Sequence, residues 1–305
     1  MKKILLTGSE GFVGKHLVDF FAQKDGFTLL APKLQELNLT SSDDVSDYLR
    51  ATQPDIIIHS ATSNTQGKGY ADDVCEQNLR MFFNLLRYRK EGCVIYTLCS
   101  GSSYAREHWV EDMSEDYLGE HIPSDGQGFS KYVIASHARH LKNVVTLRLF
   151  GIFGEHEDHR YKFISNTIAK RVAGIDVLLF KDAKYHYLDV ADFCTILADL
   201  IGHGIHSGEF NVVPDEAVTL KEIIDLVDRT LGIEKPFEVA TPGTGRPYTG
   251  SNQRLHGALQ NLSFTPMAAS IQRLAKHYLA HPHLIDRSAL LNDQLLQHAK
   301  EINKS

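Results

Sequence analysis

The sequence predicts an α/β protein: a doubly wound parallel sheet followed by a smaller C-terminal α/β domain. Three observations carry that prediction. Apolar runs of strand length alternate with helical patterns through the first two thirds of the chain, and continuous apolar runs mark strands of a parallel sheet buried on both faces. The first run leads straight into a glycine-rich turn that opens a helix. After Gly154 the alternation loosens, as a second and smaller domain requires.

Taken in order, "KILLTG" precedes the helical pattern "KHLVDFFAQ", "TLLAP" precedes "DDVSDYLRA", and "DIIIHSA" precedes "NLRMFFNLLRYR". "CVIYTLCS" then precedes "KYVIASHARHL", and "VVTLRLFG" closes the series. Beyond Gly154 the patterns predict a helix near residues 161 to 172, a short strand "VLLF", a helix over 190 to 201 and a strand "EFNVV". Thr219 and Glu222 form a capping-box pattern for a helix that ends at Gly232. The stretch "TPGTGRPYTG" separates it from two last helices around 267 to 279 and 288 to 302. No internal repeat or low-complexity tract is evident. This order assigns residues 1–155 to the first domain, with 174–212 adding strands and a helix to it, and 156–173 with 213–305 to the second.

Composition narrows the partners. The 305 residues are 43% hydrophobic and 23% charged, the makeup of a globular protein. A net charge of −6 offers no basic field for a phosphate backbone, so nucleic acid is not the expected partner. Cys75, Cys93, Cys99 and Cys194 are scattered with no C-x-x-C pair, which fits reduced thiols in the cytoplasm better than disulfides or zinc. The opening "MKKILLTGSEG" is too short in apolar residues for a signal segment, and no run has membrane-spanning length. A cytoplasmic protein without a membrane partner is the expectation.

The glycine turn reads "TGSEGFVG", with Gly8, Gly11 and Gly14. The first glycine allows the tight turn, the second lets backbone approach a pyrophosphate, and the third lets helix pack on strand. Set between a buried strand and a helix, the turn predicts dinucleotide binding on a Rossmann-type sheet. Its spacing T-G-x-x-G-F-x-G resembles that of the extended short-chain dehydrogenase/reductases of the NAD-dependent epimerase/dehydratase type. These include nucleotide-sugar epimerases, dehydratases and 4-ketoreductases. The resemblance covers about residues 1 to 280, and the helical tail after His281 has no counterpart in it.

The resemblance implies site residues by position. Ser9, Glu10, Phe12 and Val13 of the turn join the glycines at the cofactor. "LQELNLTSSDDV" is similar to the segment that enzymes of the GDP-fucose synthase and dTDP-4-dehydrorhamnose reductase type carry, which places Asn38 and Leu39 beside the adenine. His59, Ser60 and Ala61 match a cofactor-side "H-x-A", and Asn78 in "EQNLRMFFNLL" matches an asparagine near the site. For the dinucleotide, an acid ending strand two would hold the ribose of NAD, whereas a cation suits the 2′-phosphate of NADP. The strand ends "LLAPKLQ" with Lys33 and no acid. That leans to NADP over NAD, although Lys33 reads equally well as a solvated loop lysine.

The catalytic stretch departs from the family. Ser100 ends the fourth strand four residues before Tyr104, where the resemblance implies a hydroxyl on the substrate oxygen, with Ser102 the second candidate. Y-x-x-x-K should follow, and the sequence has Q-G-F-S-K. Residues 127 and 131 share a helix face, so the lysine could lower a phenol's pKa and bind nicotinamide ribose. Gln127 donates hydrogen bonds but has no proton to give. Three readings stay open: an engineered substitution, a natural homologue that binds without catalysing, or a modified reaction in which water or a substrate group is the acid. Neither Tyr104 nor Tyr132 is a convincing replacement.

On the substrate side, Phe150 in "TLRLFGIFG" matches backbone lining the nicotinamide. Asn166 in "RYKFISNTIAKRVAG" matches a contact to the nucleotide, and Arg246 matches a late diphosphate-binding arginine. Tyr185 stands where the family commonly has arginine, which puts the nucleobase and diphosphate contacts in doubt. His156 with His159, and His137 with His140, are spaced i, i+3 without further ligands, so solvated faces outweigh a metal site. His156, His159 and Arg160 could reach a substrate from the loop after strand five. The resemblance thus implies an NAD(P)-dependent nucleotide-sugar 4-ketoreductase or epimerase acting on a deoxysugar for polysaccharide biosynthesis, and a homodimer. In it Ser100, Gln127 and Lys131 occupy the catalytic positions and the second domain binds substrate. The alternative is a non-catalytic binding homologue.

Overall fold

The computed structural model describes residues 1 to 63 and 71 to 302. In chain order its elements begin β1 (Lys2–Thr7), α1 (Phe12–Ala22), β2 (Phe27–Leu30), α2 (Ser42–Thr52), β3 (Ile56–His59), α3 (Val74–Tyr88), β4 (Val94–Ser100), α4 (Gly126–Ala138) and β5 (Val144–Leu149). There follow β6 (Gly151–Phe153), α5 (Phe163–Val172), β7 (Leu178–Leu179), β8 (Lys184–Tyr185), β9 (Tyr187–Asp189), α6 (Val190–Gly202) and β10 (Gly208–Val212). The last are β11 (Val218–Thr219), α7 (Leu220–Leu231), β12 (Glu238–Val239), α8 (Gln253–Ala258), α9 (Met267–Ala280), α10 (Arg287–Leu291) and α11 (Gln294–Ile302).

Two compact units divide the chain. The first holds Met1–Phe150, Phe193–Val212 and Gly250–Leu262, and the second holds the rest. Of residues 174–212, only 193–212 lie in the first unit, because β7 and β8 pair with β12 and β11 of the second. Residues 250–262, with the short helix α8, return to the first.

The first unit is a six-stranded parallel sheet in the order β10-β5-β4-β3-β1-β2, the doubly wound arrangement that the alternating pattern predicts. β3 and β5 are buried along their whole length, which is why they read as unbroken apolar runs. Register sets Thr7, His59 and Thr97 side by side, so the ends of β1, β3 and β4 face one edge. In α/β sheets that edge is where ligands bind. On one face Leu5, Ile57 and Ile95 pack with Val45 and Leu49 of α2 and Phe82 and Leu85 of α3. Ser41 caps α2 by accepting from the Asp44 N–H. At the outer edge, fully buried Arg148 of β5 donates to Glu209 of β10 at 2.5 Å and to Ser103 at 3.2 Å. Arg139 donates to the other oxygen of Glu209 at 2.6 Å.

The second unit packs α5, α7 and α9 around Ile164, Ile168, Ile223, Val227, Ile271 and Leu274. Thr219 and Glu222 form the full capping box that the sequence predicts, and Gly232 ends α7 with a left-handed φ of 65°. Arg171 and Asp228 make two parallel bonds of 2.7 Å inside this core. The final predicted helix is two: α10 and α11 part at Asp293, whose φ is 45° and whose carboxylate accepts from the Leu296 N–H. Among the described residues no helix is long and apolar enough to cross a membrane.

Candidate active site

The glycine turn carries three different constraints. Gly8 takes a φ of +71°, and a Cβ there would stand 2.7 Å from the Ala61 backbone nitrogen, so only glycine lets β1 leave the sheet beside β3. A Cβ on Gly14 would lie 2.0 Å from the Gly8 carbonyl oxygen, which is the close packing of helix on turn. Gly11 is the N-cap of α1 and no side chain caps that helix. Its first amides therefore present positive character uncapped by any side chain, a cradle that suits a pyrophosphate. Ser9 Oγ lies 3.3 Å from the carbonyl oxygens of Ala31 and Pro32 and ties the turn to the end of β2.

The remaining cofactor-side candidates sit along the same edge of the first unit. Lys33 is solvent-exposed and its ammonium is 4.0 Å from Glu10 on the glycine turn. Asn38 Oδ1 accepts from the backbone N–H and hydroxyl of Thr40, a local turn that orders the loop before α2. Leu39 is buried and its carbonyl accepts from Asn84. His59 is buried with Nδ1 2.9 Å from Thr7 Oγ1, and the same hydroxyl accepts from the Ala61 N–H at 3.3 Å. Burial, reinforced by the charge of Lys131, pushes His59 down to about 3, so its ring is neutral at any working pH. It organises the end of β3 and cannot act as an acid at neutral pH.

Helix α4 brings the catalytic candidates to the end of β4. It starts at Gly126, where Asp125 caps it by accepting from the Gly128 N–H at 2.7 Å. Gly128 allows the approach: a Cβ there would stand 2.7 Å from the Ser102 carbonyl oxygen. Ser100, the last residue of β4, accepts from the Ser102 N–H at 3.1 Å. One turn after Gln127, the Lys131 ammonium donates to the Leu98 carbonyl at 2.9 Å, and burial lowers its pKa. Gln127 is itself buried, its Oε1 accepting from Asn78 at 2.8 Å and its Nε2 3.4 Å from Thr62 Oγ1.

Neither Tyr104 nor Tyr132 fills the missing role. The Tyr104 hydroxyl is buried and donates to Asn211 at 3.0 Å, and burial holds its pKa well above the ordinary value. Tyr132 is stacked against Phe129, which is partly solvent-exposed. Phe150 is buried 6.2 Å from the Tyr104 ring. The first unit thus gathers the glycine turn, His59, Ala61, Asn78, Ser100, Gln127 and Lys131 along connected contacts. Thr62 was not predicted; a hydroxyl residue just past the end of β3 is the only signal that could have marked it.

In the second unit, Asn166 is buried with its amide donating to the His159 carbonyl at 2.8 Å. Arg246 is exposed. Tyr185 stacks on Tyr187 with ring centroids 5.6 Å apart. Glu157 is buried and accepts from the Ser165 hydroxyl, and burial pushes its pKa up to about 7. His159 Nε2 accepts from the Asp286 N–H at 3.0 Å, and Arg160 is paired with Asp158. Among the described residues no group of three or more His, Cys, Asp or Glu could hold a metal ion.

A model of the NAD dependent epimerase/dehydratase family matches residues 4–212. The chain is 25% identical over 266 residues to the GDP-L-colitose synthase of Yersinia pseudotuberculosis, covering 77% of this chain and 84% of that protein. It is 25% identical over 279 residues to the GDP-6-deoxy-D-mannose reductase of Pseudomonas aeruginosa, covering 84% of this chain and 90% of that protein. Among solved structures, a GDP-mannoheptose C4 reductase from Campylobacter jejuni with NADP bound has the same fold. It aligns with a TM-score of 0.76 at 17% identity, over 91% of this chain and 98% of that one.

Proposed function

The chain belongs to the NAD dependent epimerase/dehydratase family, and on that premise we propose that it reduces the 4-keto group of a GDP-linked deoxysugar with NADPH. One observation carries the reading: α4 sets Lys131 and position 127 one turn apart, beside the end of β4 at Ser100. The names of the three relatives support the substrate class, since each specifies a GDP-sugar and two specify a reductase.

The residues present fit the cofactor. Gly8, Gly11 and Gly14 with Ser9, Glu10, Phe12 and Val13 hold the pyrophosphate on the open end of α1. Lys33, exposed beside that turn, takes the 2′-phosphate. Asn38 and Leu39 flank the adenine, and His59, Ser60, Ala61, Asn78 and Phe150 line the way to the nicotinamide. Bound there, NADPH supplies the hydride for the sugar carbon. Lys131 orients the ribose. Ser100, with Ser102 behind it, and the Gln127 amide hydrogen-bond the ketone oxygen as negative charge builds on it. Gln127 stabilises that oxygen without protonating it, so water or a substrate hydroxyl brings the proton. The missing acid lowers the rate by about a hundredfold to ten-thousandfold. Asn166 and Arg246 bind the nucleotide and diphosphate. The protein works in the cytoplasm as a homodimer, for which half-exposed Phe129 and Tyr132 on α4 offer apolar surface.

The test is loss of nicotinamide absorbance when the protein meets NADPH and GDP-4-keto-6-deoxymannose. Slow turnover that Gln127→Tyr accelerates at least tenfold is the expected result. Gln127 alone favours the second reading, a binding homologue without catalysis. That reading prevails if wild type and Gln127→Tyr both stay silent while dinucleotide still binds. Absence of dinucleotide binding at millimolar ligand sinks both.

A further inference from the structure

We infer that Asn78 is a positioning residue that locks the Gln127 side-chain amide with its N–H side free for a ligand oxygen, making position 127 a fixed neutral donor. The backbone N–H of Ser63 has a polarity no rotation can reverse, and it points at Asn78 Oδ1 from 2.7 Å. A nitrogen in that place would set donor against donor. Oxygen therefore faces Ser63, and Asn78 Nδ2 faces the other way.

Nδ2 can only donate, so the Gln127 atom 2.8 Å from it is Oε1. Gln127 Nε2 is thereby turned toward Thr62, 3.4 Å from its hydroxyl oxygen. The Thr62 proton goes to Asn78 Oδ1 at 3.3 Å, which leaves Thr62 Oγ1 as the acceptor of one Nε2 hydrogen. The second Asn78 N–H goes to Ser130 Oγ at 3.2 Å, and Ser130 spends its own proton on the Gln127 carbonyl at 2.8 Å. Turning Asn78 over would set its amide nitrogen against the Ser63 N–H and its oxygen against Gln127 Oε1 in a buried place. A backbone amide at 63 thus dictates which end of Gln127 meets a ligand, and the end it selects is a donor with, among the described residues, one hydrogen left to give.

Such a donor matches an oxygen that only accepts, and a ketone oxygen is one. Identifying that oxygen as the sugar 4-keto group rests on the reductase reading above; the orientation of the amide does not. Asn78→Asp keeps the size of the side chain but can only accept, so Gln127 must turn its amide nitrogen inward and present oxygen. Gln127→Met keeps the length and removes the donor.

Two measurements test the inference. In protein carrying 15N-glutamine, the Gln127 NH2 signal, identified by its loss in Gln127→Met, is expected to move in Asn78→Asp. If that variant does not fold, Asn78→Ala should release the amide and bring the signal toward that of free glutamine. In calorimetric titration of NADP-saturated protein with GDP-4-keto-6-deoxymannose, Asn78→Asp and Gln127→Met should each bind at least tenfold more weakly than wild type. A Gln127 signal indifferent to position 78 overturns the lock. Variants that bind the keto sugar as wild type does overturn the donor role. If wild type itself does not bind the keto sugar, the reductase reading falls and the amide signal alone decides the lock.

Discussion

Replacing Gly14 by alanine and Gly11 by alanine should give opposite failures, and the glycine turn says how large each will be. A methyl on Gly14 would sit 2.0 Å from the Gly8 carbonyl oxygen, 2.8 Å from the Gly8 carbonyl carbon and 2.9 Å from Ser9 Cα. An ordinary carbon–oxygen approach is about 3.3 Å, so turn and helix must part by more than an ångström. Every atom it meets is backbone, and no side chain can swing aside. Overpacking of this kind costs roughly 1–3 kcal/mol, and backbone on both sides places Gly14→Ala at the upper end. At about 2–4 °C per kcal/mol for a unit of this size, the melting midpoint should fall by about 6–12 °C. Gly11 has a φ of −75° that alanine adopts freely, and its added Cβ would be 3.3 Å from the same oxygen, tight but tolerable. Gly11→Ala should therefore melt within a few degrees of wild type yet bind NADPH at least tenfold more weakly, because the methyl stands at the open helix end. Thermal melts followed by circular dichroism and calorimetric titration with NADPH read both effects. A Gly14→Ala protein that melts like wild type would refute the packing argument. A Gly11→Ala protein with undiminished NADPH affinity would refute the cradle.

The buried titratable groups give a pH test with two opposite signs. Glu157 has a folded pKa raised to about 7, so stability fully present below its ordinary carboxyl range is lost as pH rises toward 7. Glu157→Gln should match wild type near the acid end and exceed it by about 3 kcal/mol at mildly alkaline pH, read by denaturant titration; equal curves at both ends contradict the burial argument. His59, held down to about 3, acts the other way: wild type loses stability as pH falls from the ordinary imidazole range toward 3, at roughly 1.4 kcal/mol per pH unit. His59→Asn should remove that part of the acid limb. In the second unit, Asp228→Ala leaves the Arg171 guanidinium buried with, among the described residues, the Lys235 carbonyl as its remaining acceptor and should cost about 3–5 kcal/mol. The double change Arg171→Met with Asp228→Leu should recover most of it, and a single change as mild as the double one would show that the pair is not desolvated.

What the sequence shows and what it hides follow from how local the cause is. β3 and β5 read as strands because both faces are buried, and the capping box at Thr219 is written in residues three apart. The helix carrying residues 127 and 131 was legible, whereas the Asp125 cap and the Gly128 contact to the Ser102 backbone that fix where α4 begins have no periodicity. β7 and β8 join the second unit through two-residue ladders to β12 and β11, partners some 34 to 60 positions away. In the site, Gln127 and Lys131 were legible because one helix carries both. Thr62 was not, since its partners lie 16 and 65 residues along the chain. The polarity of Gln127 could not be read at all, because it is decided by a backbone N–H that every residue but proline possesses.

The ion pairs at the outer sheet edge bear on how the chain matures during synthesis. Arg148 emerges on β5 before the carboxylate that pairs with it, since Glu209 is encoded 61 residues later, on β10. Between them the ribosome must deliver segments of the other unit. A nascent chain that has just released β5 therefore holds a guanidinium without the carboxylate that accepts its hydrogen bond in the finished sheet. Closure of the nucleotide-binding unit is thus timed to the arrival of its sixth strand, well after all of its glycine turn and helix α4 have been made.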